Sequence, residues 1–173
     1  MKEIDLDKIG KELISFTQKE VSDFLAKHPD KIFYAFAFDC LAVYGEVNLC
    51  FNTEGDFITT LEAYQRGRFG EFYQTEDQIK NLRYCTGDWE YNGFATADVF
   101  TEEELDVIYD ETDRDSSARK EETQLLLRHF SKILLEFCET PEFKSIPKTK
   151  DFRILCIDLE EDLEEAEFRM AQL

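Results

Sequence analysis

Residues 32–40 read Ile-Phe-Tyr-Ala-Phe-Ala-Phe-Asp-Cys, and residues 46–54 read Glu-Val-Asn-Leu-Cys-Phe-Asn-Thr-Glu. The first run is uncharged up to Asp39 and rich in aromatic residues, and it is too short for a membrane span, which needs about 20 apolar residues. The gap of Leu41 to Gly45 has the length of a hairpin loop, whereas parallel strands need a long crossover. The two runs therefore predict a central antiparallel hairpin over residues 32–51.

Alternation along these strands predicts which side chains share a face of the sheet. In the first strand, the two predicted faces are Ile32, Tyr34, Phe36 and Phe38 on one side, and Phe33, Ala35 and Ala37 on the other. In the second strand, the predicted apolar face is Val47, Leu49 and Phe51, opposed by Glu46, Asn48 and Cys50. Both strands are therefore expected to be covered by helices.

Helical periodicity appears in four other parts of the chain, near residues 5–27, 54–66, 118–139 and 160–170. Residues 152–158 predict a further strand, and residues 140–150, which contain Pro141 and Pro147, a connecting loop. Thr101 and Glu104 have the spacing of a helix capping box. Together these elements predict an α+β fold, a mainly antiparallel sheet flanked by helices.

The composition is that of a folded protein. Of the 173 residues, 43% are hydrophobic and 14% aromatic, which favours a packed core over disorder. A chain of this length with few Gly and Pro residues predicts one domain over residues 1–173.

The most pronounced feature of the composition is negative charge. Asp and Glu number 39 against 20 Lys and Arg, a net charge of −19. Such a field repels nucleic-acid phosphates and anionic membranes, so neither is an expected partner. It attracts a basic protein, although acidity can also serve solubility alone. The acids concentrate in two segments, 98–115 and 158–167.

The five cysteines lack metal-binding and disulfide-framework spacing. We therefore expect no metal site, no cofactor and buried free thiols. The first residues carry no apolar signal region, so the reducing cytoplasm is the expected compartment.

Residues 82–91 contain the only tryptophan and predict a third strand. Two interpretations of its side chains are open. In one, the Trp89 indole packs in the core while Asp88 caps a turn or pairs with Arg83. In the other, Tyr84, Trp89 and Tyr91 line a binding groove whose polar groups are Arg83 and Asp88.

Four landmarks occur in order along the chain: His28-Pro29 before a strand, Phe33-Tyr34-Ala35-Phe36-Ala37, Asn52-Thr53-Glu54 opening a helix, and Leu82-Arg83 with Asp88-Trp89 and Tyr91. Their order and spacing resemble the bacterial domain-of-unknown-function family numbered four-three-zero-three. The resemblance covers most of the chain and implies no catalytic residues. Where it implies a Gly- and Phe-rich stretch with an acid before the last strand, this chain has Ser145-Ile146-Pro147-Lys148-Thr149.

No catalytic motif is present in the sequence, so no catalytic residue is predicted and enzymatic activity is not expected. His28 and His129 lie outside any nucleophile context, and no phosphate-binding glycine motif occurs. Asp39 and Glu46, at the ends of neighbouring strands, are the best carboxylate pair for acid–base chemistry.

We therefore expect an acidic protein-binding module that neutralises a basic partner, as an immunity protein neutralises a toxin. The alternative is a small-molecule-binding or enzymatic domain that uses the aromatic groove near Arg83, Asp88 and Trp89.

Overall fold

The computed structural model describes residues 4–68, 70–112 and 116–173. Its elements are, in chain order, α1 (Leu6–Lys27), β1 (Phe33–Leu41), β2 (Glu46–Thr53), α2 (Glu54–Arg66), α3 (Glu76–Arg83), β3 (Tyr91–Asp98), α4 (Glu102–Thr112), α5 (Ser116–Cys138), α6 (Pro141–Ser145), β4 (Lys148–Asp158) and α7 (Leu163–Ala171). None of the helices in these ranges is long and apolar enough to cross a membrane.

The strands form one sheet in the order β3-β2-β1-β4. β2 is antiparallel to both β1 and β3, and β4 is parallel to β1. The predicted α+β class and the central hairpin are confirmed, and two of the three strand pairings are antiparallel. In the hairpin turn, Gly45 takes a left-handed backbone conformation with φ of 68°.

One face of the sheet carries the larger core. Phe36 and Phe38 of β1 and Leu49 and Phe51 of β2 are fully buried there. The long helices α1 and α5 cover this face with an apolar stripe that includes Leu13, Val21, Phe24, Leu127, Phe130 and Phe137. Burial of this apolar and aromatic surface stabilises the fold.

The opposite face carries a second, smaller cluster of buried side chains. It contains Tyr34, Ala35 and Ala37 of β1, which are covered by Phe57 of α2 and Leu82 of α3. The prediction that Tyr34 shares a face with Phe36 and Phe38 is therefore wrong. A register shift between Phe33 and Ala35 breaks the alternation, so Phe33 joins the larger core and Tyr34 the smaller one.

Local signals place most helix ends as the sequence predicts. The Thr53 side chain accepts from the Asp56 backbone N–H at 3.2 Å at the start of α2. Thr101 and Glu104 form the predicted capping box, with reciprocal bonds of 2.8 and 3.3 Å.

Two predictions of local structure are wrong. Residues 82–91 do not form the third strand: Leu82 and Arg83 end α3, a short 3₁₀ turn spans Thr86–Asp88, and β3 begins at Tyr91. The capping box of Thr75 and Gln78 starts α3, and this helical signal overrides the alternation that follows it. The predicted loop over residues 140–150 contains α6, whose start has Thr140 as cap and Pro141 in the first turn.

Candidate functional site

Three strands of the sheet end at the same place. β1 and β4 are parallel, and β2 is antiparallel to both β1 and β3, so β1, β3 and β4 run in one direction. Each strand brings one carboxylate to this end of the sheet: Asp39 from β1, Glu46 from β2, Asp98 from β3 and Asp158 from β4. We call these four residues the acidic end.

The strand register fixes their spacing. Glu46 lies opposite Leu41 on one side and opposite Asp98 on the other. Asp39 lies opposite Asn48, two pairs further into the sheet. The predicted carboxylate pair of Asp39 and Glu46 is thus on neighbouring strands and on the face opposite the larger core.

Asp158 has a structural role in this arrangement. Its side chain is buried, and it accepts hydrogen bonds from the Ala42 N–H at 2.9 Å and the Glu160 N–H at 3.2 Å. These bonds fasten the β1–β2 turn to the end of β4. The carboxylate is therefore occupied by backbone donors, whereas Asp98 is exposed to solvent.

Asp39 is a partly buried carboxylate. Burial raises its pKa, and the nearby charges of Asp158 and Glu46 raise it further, against the effect of hydrogen bonds from Thr86 and Asn92. The Asn92 amide lies 3.3 Å from an Asp39 oxygen and also donates to the Thr86 carbonyl at 2.8 Å. A cation placed beside Asp39 would favour its charged form.

A row of hydrogen-bonded polar side chains runs from Glu46 on β2 to Thr96 on β3. The Asn48 amide donates to Glu46 at 2.8 Å, and the Thr96 hydroxyl donates to the Asn48 oxygen at 2.6 Å. These bonds hold the Glu46 side chain in place. The acidic end therefore combines two oriented carboxylates, those of Asp39 and Glu46, with an exposed one.

The two acidic segments of the sequence continue from this same end. β3 leads into α4, whose first turn carries the acidic side chains Glu102, Glu103 and Glu104. β4 leads into the exposed Glu160 and the first turn of α7, which carries Glu164 and Glu165. Asp113, Arg114 and Asp115 of the first acidic segment lie outside the described residues.

A cavity of about 340 Å³ lies beside the end of β4. Asp158, Glu160, Glu161 and Glu165 line one side, and Arg119 and Lys120 of α5 line the other. Its charges are therefore partly balanced within the chain. In the described ranges, no group of three or more His, Cys, Asp and Glu side chains has the arrangement to hold a metal ion.

The structure places the predicted groove residues on both sides of the sheet. Trp89 and Tyr84 are buried in the smaller core, with exposures of 4% and 6%. The indole N–H donates to the Arg83 carbonyl at 2.9 Å, and Tyr34 donates to the same carbonyl at 2.6 Å. Tyr91 lies across the sheet, against Phe24 at 5.1 Å between ring centroids.

The polar members of the predicted groove have partners. The Arg83 guanidinium stacks 4.0 Å from the Tyr34 ring and forms a two-bond ion pair with Glu54. Asp88 accepts from the Tyr64 hydroxyl at 2.5 Å, and this bond raises the pKa of Tyr64 to about 12. Arg83, Tyr84 and Trp89 are therefore brought together around Tyr34, which sequence reasoning did not include.

Sequence reasoning also missed the polar residues that orient the acidic end. Asn48 had a signal, because it opposes the apolar face of β2. Asn92 and Thr96 had none, because β3 was placed earlier in the chain.

Comparison with known protein families gives a match over most of the chain. The model of a family described as a domain of unknown function (DUF4303) matches residues 13–173. No curated protein and no solved structure gives a significant match. Since the match covers nearly the whole chain, this protein belongs to the DUF4303 family of domains of unknown function.

Proposed function

We propose that this protein is a non-catalytic, acidic protein-binding module whose acidic end binds a basic protein partner. An immunity protein that neutralises a toxin is the nearest functional analogy. The partner would present lysine and arginine side chains to Asp39, Glu46 and Asp98.

One observation carries the proposal: the fold gathers acids that are far apart in the sequence at one end of the sheet. Asp39, Glu46 and Asp98 lie on three adjacent strands, and both acidic segments begin where β3 and β4 end. Acidity that served solubility alone would not need such convergence. A localised negative patch steers a basic partner and orients it on encounter.

The same charge argues against other macromolecular partners. A net charge of −19 disfavours nucleic acid and anionic membrane surfaces. The five cysteines are free thiols, which supports a reducing compartment such as the cytoplasm as the place of action.

The alternative, a small-molecule site at Arg83, Asp88 and Trp89, has less support. The Arg83 guanidinium is paired with Glu54 and the Trp89 indole is buried. Arg83 and Trp89 therefore hold the smaller core together and join it to α2.

Affinity capture from the native host, followed by titration of the purified partner at rising salt, tests the proposal. We expect the affinity to fall steeply as salt increases, because screening shortens the range of the charges. The variant Glu46→Gln/Asp98→Asn should weaken binding by about tenfold or more, on the order of two lost charge contacts.

The matched control is Glu136→Gln/Glu139→Gln, which removes the same charge from the last turn of α5 and the residue that follows it, remote from the acidic end. It should leave binding within about twofold, as expected of surface changes outside an interface. A tight partner whose affinity ignores salt, or responds equally to both variants, would contradict the proposal.

A further inference from the structure

The two edges of the sheet differ in how they are covered. At the β4 edge, α7 packs against the strand and pairs with the backbone of Cys156: Arg169 donates to the Cys156 carbonyl at 2.7 Å, and the Met170 sulfur lies 3.3 Å from the Cys156 nitrogen. At the other edge lies β3, the last strand in the order β3-β2-β1-β4. An uncovered edge strand is a template for pairing with another chain.

The backbone of β3 can be oriented from one bond. The Val99 N–H donates to the Gly45 carbonyl at 2.8 Å, towards β2. The backbone groups of successive residues in a strand point alternately to its two sides. Val99 and Ala97 therefore point towards β2, and the N–H and C=O groups of Asp98 and Thr96 point away from it. In the described part of the chain, no backbone hydrogen bond reaches them on that side.

A groove of about 330 Å³ runs between this edge and α1. Its apolar lining is Ile9, Leu13, Phe16, Ala97 and Val99. Glu12 lies on the helix side, and Thr96 and Asp98 on the strand side. The groove is thus apolar within and acidic at its margin.

The two faces of the edge differ in chemistry. Side chains of an added strand would alternate between the α1 side, which is apolar, and the opposite side, where Asp98 and Glu46 lie. A segment that alternates apolar and basic residues satisfies both faces, and its backbone satisfies the free groups of Thr96 and Asp98.

We propose that the edge of β3 and the α1–β3 groove bind an extended segment of the partner, alternating apolar with lysine or arginine residues, as a fifth strand of the sheet. This inference rests on the proposed function, since it assumes a basic protein partner. It adds the mode of binding and the pattern that the partner's segment must carry.

A synthetic peptide of alternating lysine and valine, about six residues long as typical strands are, serves as the probe. We expect saturable binding to the full chain, with amide shifts in ¹⁵N spectra at residues 94–98 and 9–16. A peptide of the same sequence that is N-methylated at every residue keeps the charge but loses its backbone donors in either strand orientation. It should bind at least about tenfold more weakly.

A pair of protein variants tests the same bonds by changing the β3 edge instead of the peptide. Thr96→Pro removes the outward N–H without touching the ladder to β2, a position where an edge strand tolerates proline. Thr96→Val loses the same side-chain bond to Asn48 but keeps the N–H. Because both variants lose the side-chain bond, the first should weaken peptide binding by about tenfold or more relative to the second.

Equal binding of the methylated and unmethylated peptides, or shifts confined to other surfaces, would overturn the inference, even if Thr96→Pro fails to fold. A dimer of the wild-type chain that Thr96→Pro converts to a monomer would also overturn it, because a second copy would then occupy the edge. A captured partner that loses affinity with Glu46→Gln/Asp98→Asn but not with Thr96→Pro leaves the proposed function standing and removes only the fifth strand.

Discussion

Arg169 is the most enclosed positive charge among the described side chains with an ion pair. The Arg169 and Glu161 side chains are only 4% and 3% exposed. The guanidinium donates to Glu161 at 2.6 Å and to the carbonyls of Cys156 and Leu127 at 2.7 and 3.2 Å. It thereby ties α7 to β4 and α5.

The variant Arg169→Met should lower the free energy of unfolding by about 3–5 kcal/mol, because it leaves the Glu161 carboxylate buried without a partner. Urea denaturation of the purified protein measures this. Arg153→Met is the control: Arg153 pairs with Glu167 at 2.7 Å, but the two side chains are 48% and 32% exposed. Arg153→Met should lower the free energy of unfolding by about 1 kcal/mol or less. Equal losses in the two variants would contradict the structural role of the Arg169–Glu161 pair.

Asp39 makes a pH-dependent contribution to stability. Burial raises its pKa in the folded state, so folding is penalised at pH values above that raised pKa. The penalty disappears as the pH falls below the ordinary carboxyl value of about 4.

Asp39→Asn should therefore be more stable than the wild type at pH 8, and the difference should shrink as the pH falls towards about 4. Urea midpoints across this pH range measure the effect. Glu136→Gln, which removes an exposed charge from α5, controls for the loss of one negative charge. A stability gain of Asp39→Asn over the wild type that grows towards acid pH would contradict this prediction.

At the scale of single elements, the hairpin turn has the strictest steric requirement. Gly45 has a φ of 68°, and a Cβ at this position would lie 2.2 Å from the Phe100 ring. Phe100 is itself buried and leads into α4. The turn therefore fixes the path from β3 to α4 as well as the hairpin.

Gly45→Ala should destabilise the protein by more than about 2 kcal/mol, since backbone strain and overpacking act together. Gly55→Ala is a contrasting control in the first turn of α2, where the nearest atom to a new Cβ is 3.9 Å away. It should stabilise by about 0.5–1 kcal/mol, because alanine is the better helix former. Thermal or urea unfolding separates the two, and a neutral Gly45→Ala would show that the turn is not constrained.

The elements also show what a single sequence can reveal. The hairpin was predictable because Phe36 to Phe38 and Val47 to Phe51 are apolar enough to identify strands by themselves. The face on which Tyr34 lies was not predictable, because no local sequence pattern marks the register shift beside it. β3 was misplaced because Tyr91–Asp98 contains Asn, Gly and Asp, which are poor strand formers.

The acidic end was only half predictable. The sequence identified Asp39, Glu46 and the two acidic segments as separate features. Their convergence depends on β4 pairing parallel to β1, a contact between distant parts of the chain. Local patterns do not encode such pairings.

At the scale of the whole molecule, net charge opposes compactness. A charge of −19 gives repulsion that folding must overcome. Raising NaCl from about 10 mM to about 1 M shortens the screening length from about 30 Å to about 3 Å. The melting temperature should rise over this range by several degrees, which corresponds to a gain in unfolding free energy on the order of 1 kcal/mol.

Calorimetry or circular dichroism measures the melting temperature. NaCl and KCl should act alike at equal ionic strength, because screening depends on the charge and concentration of the ions. A melting temperature that falls with salt would mean that ion pairs such as Lys19–Asp23 outweigh the repulsion.

The position of β1 between β2 and β4 has a consequence for biosynthesis. The hairpin is made early, whereas β4 comes late in the chain, so a nascent polypeptide exposes one side of its most aromatic strand until translation reaches residues 148–158. An open edge beside Phe36 and Phe38 is an aggregation hazard during that interval. Ribosome-bound intermediates that end before β4 should therefore depend on chaperones, and the dependence should end once that strand has emerged.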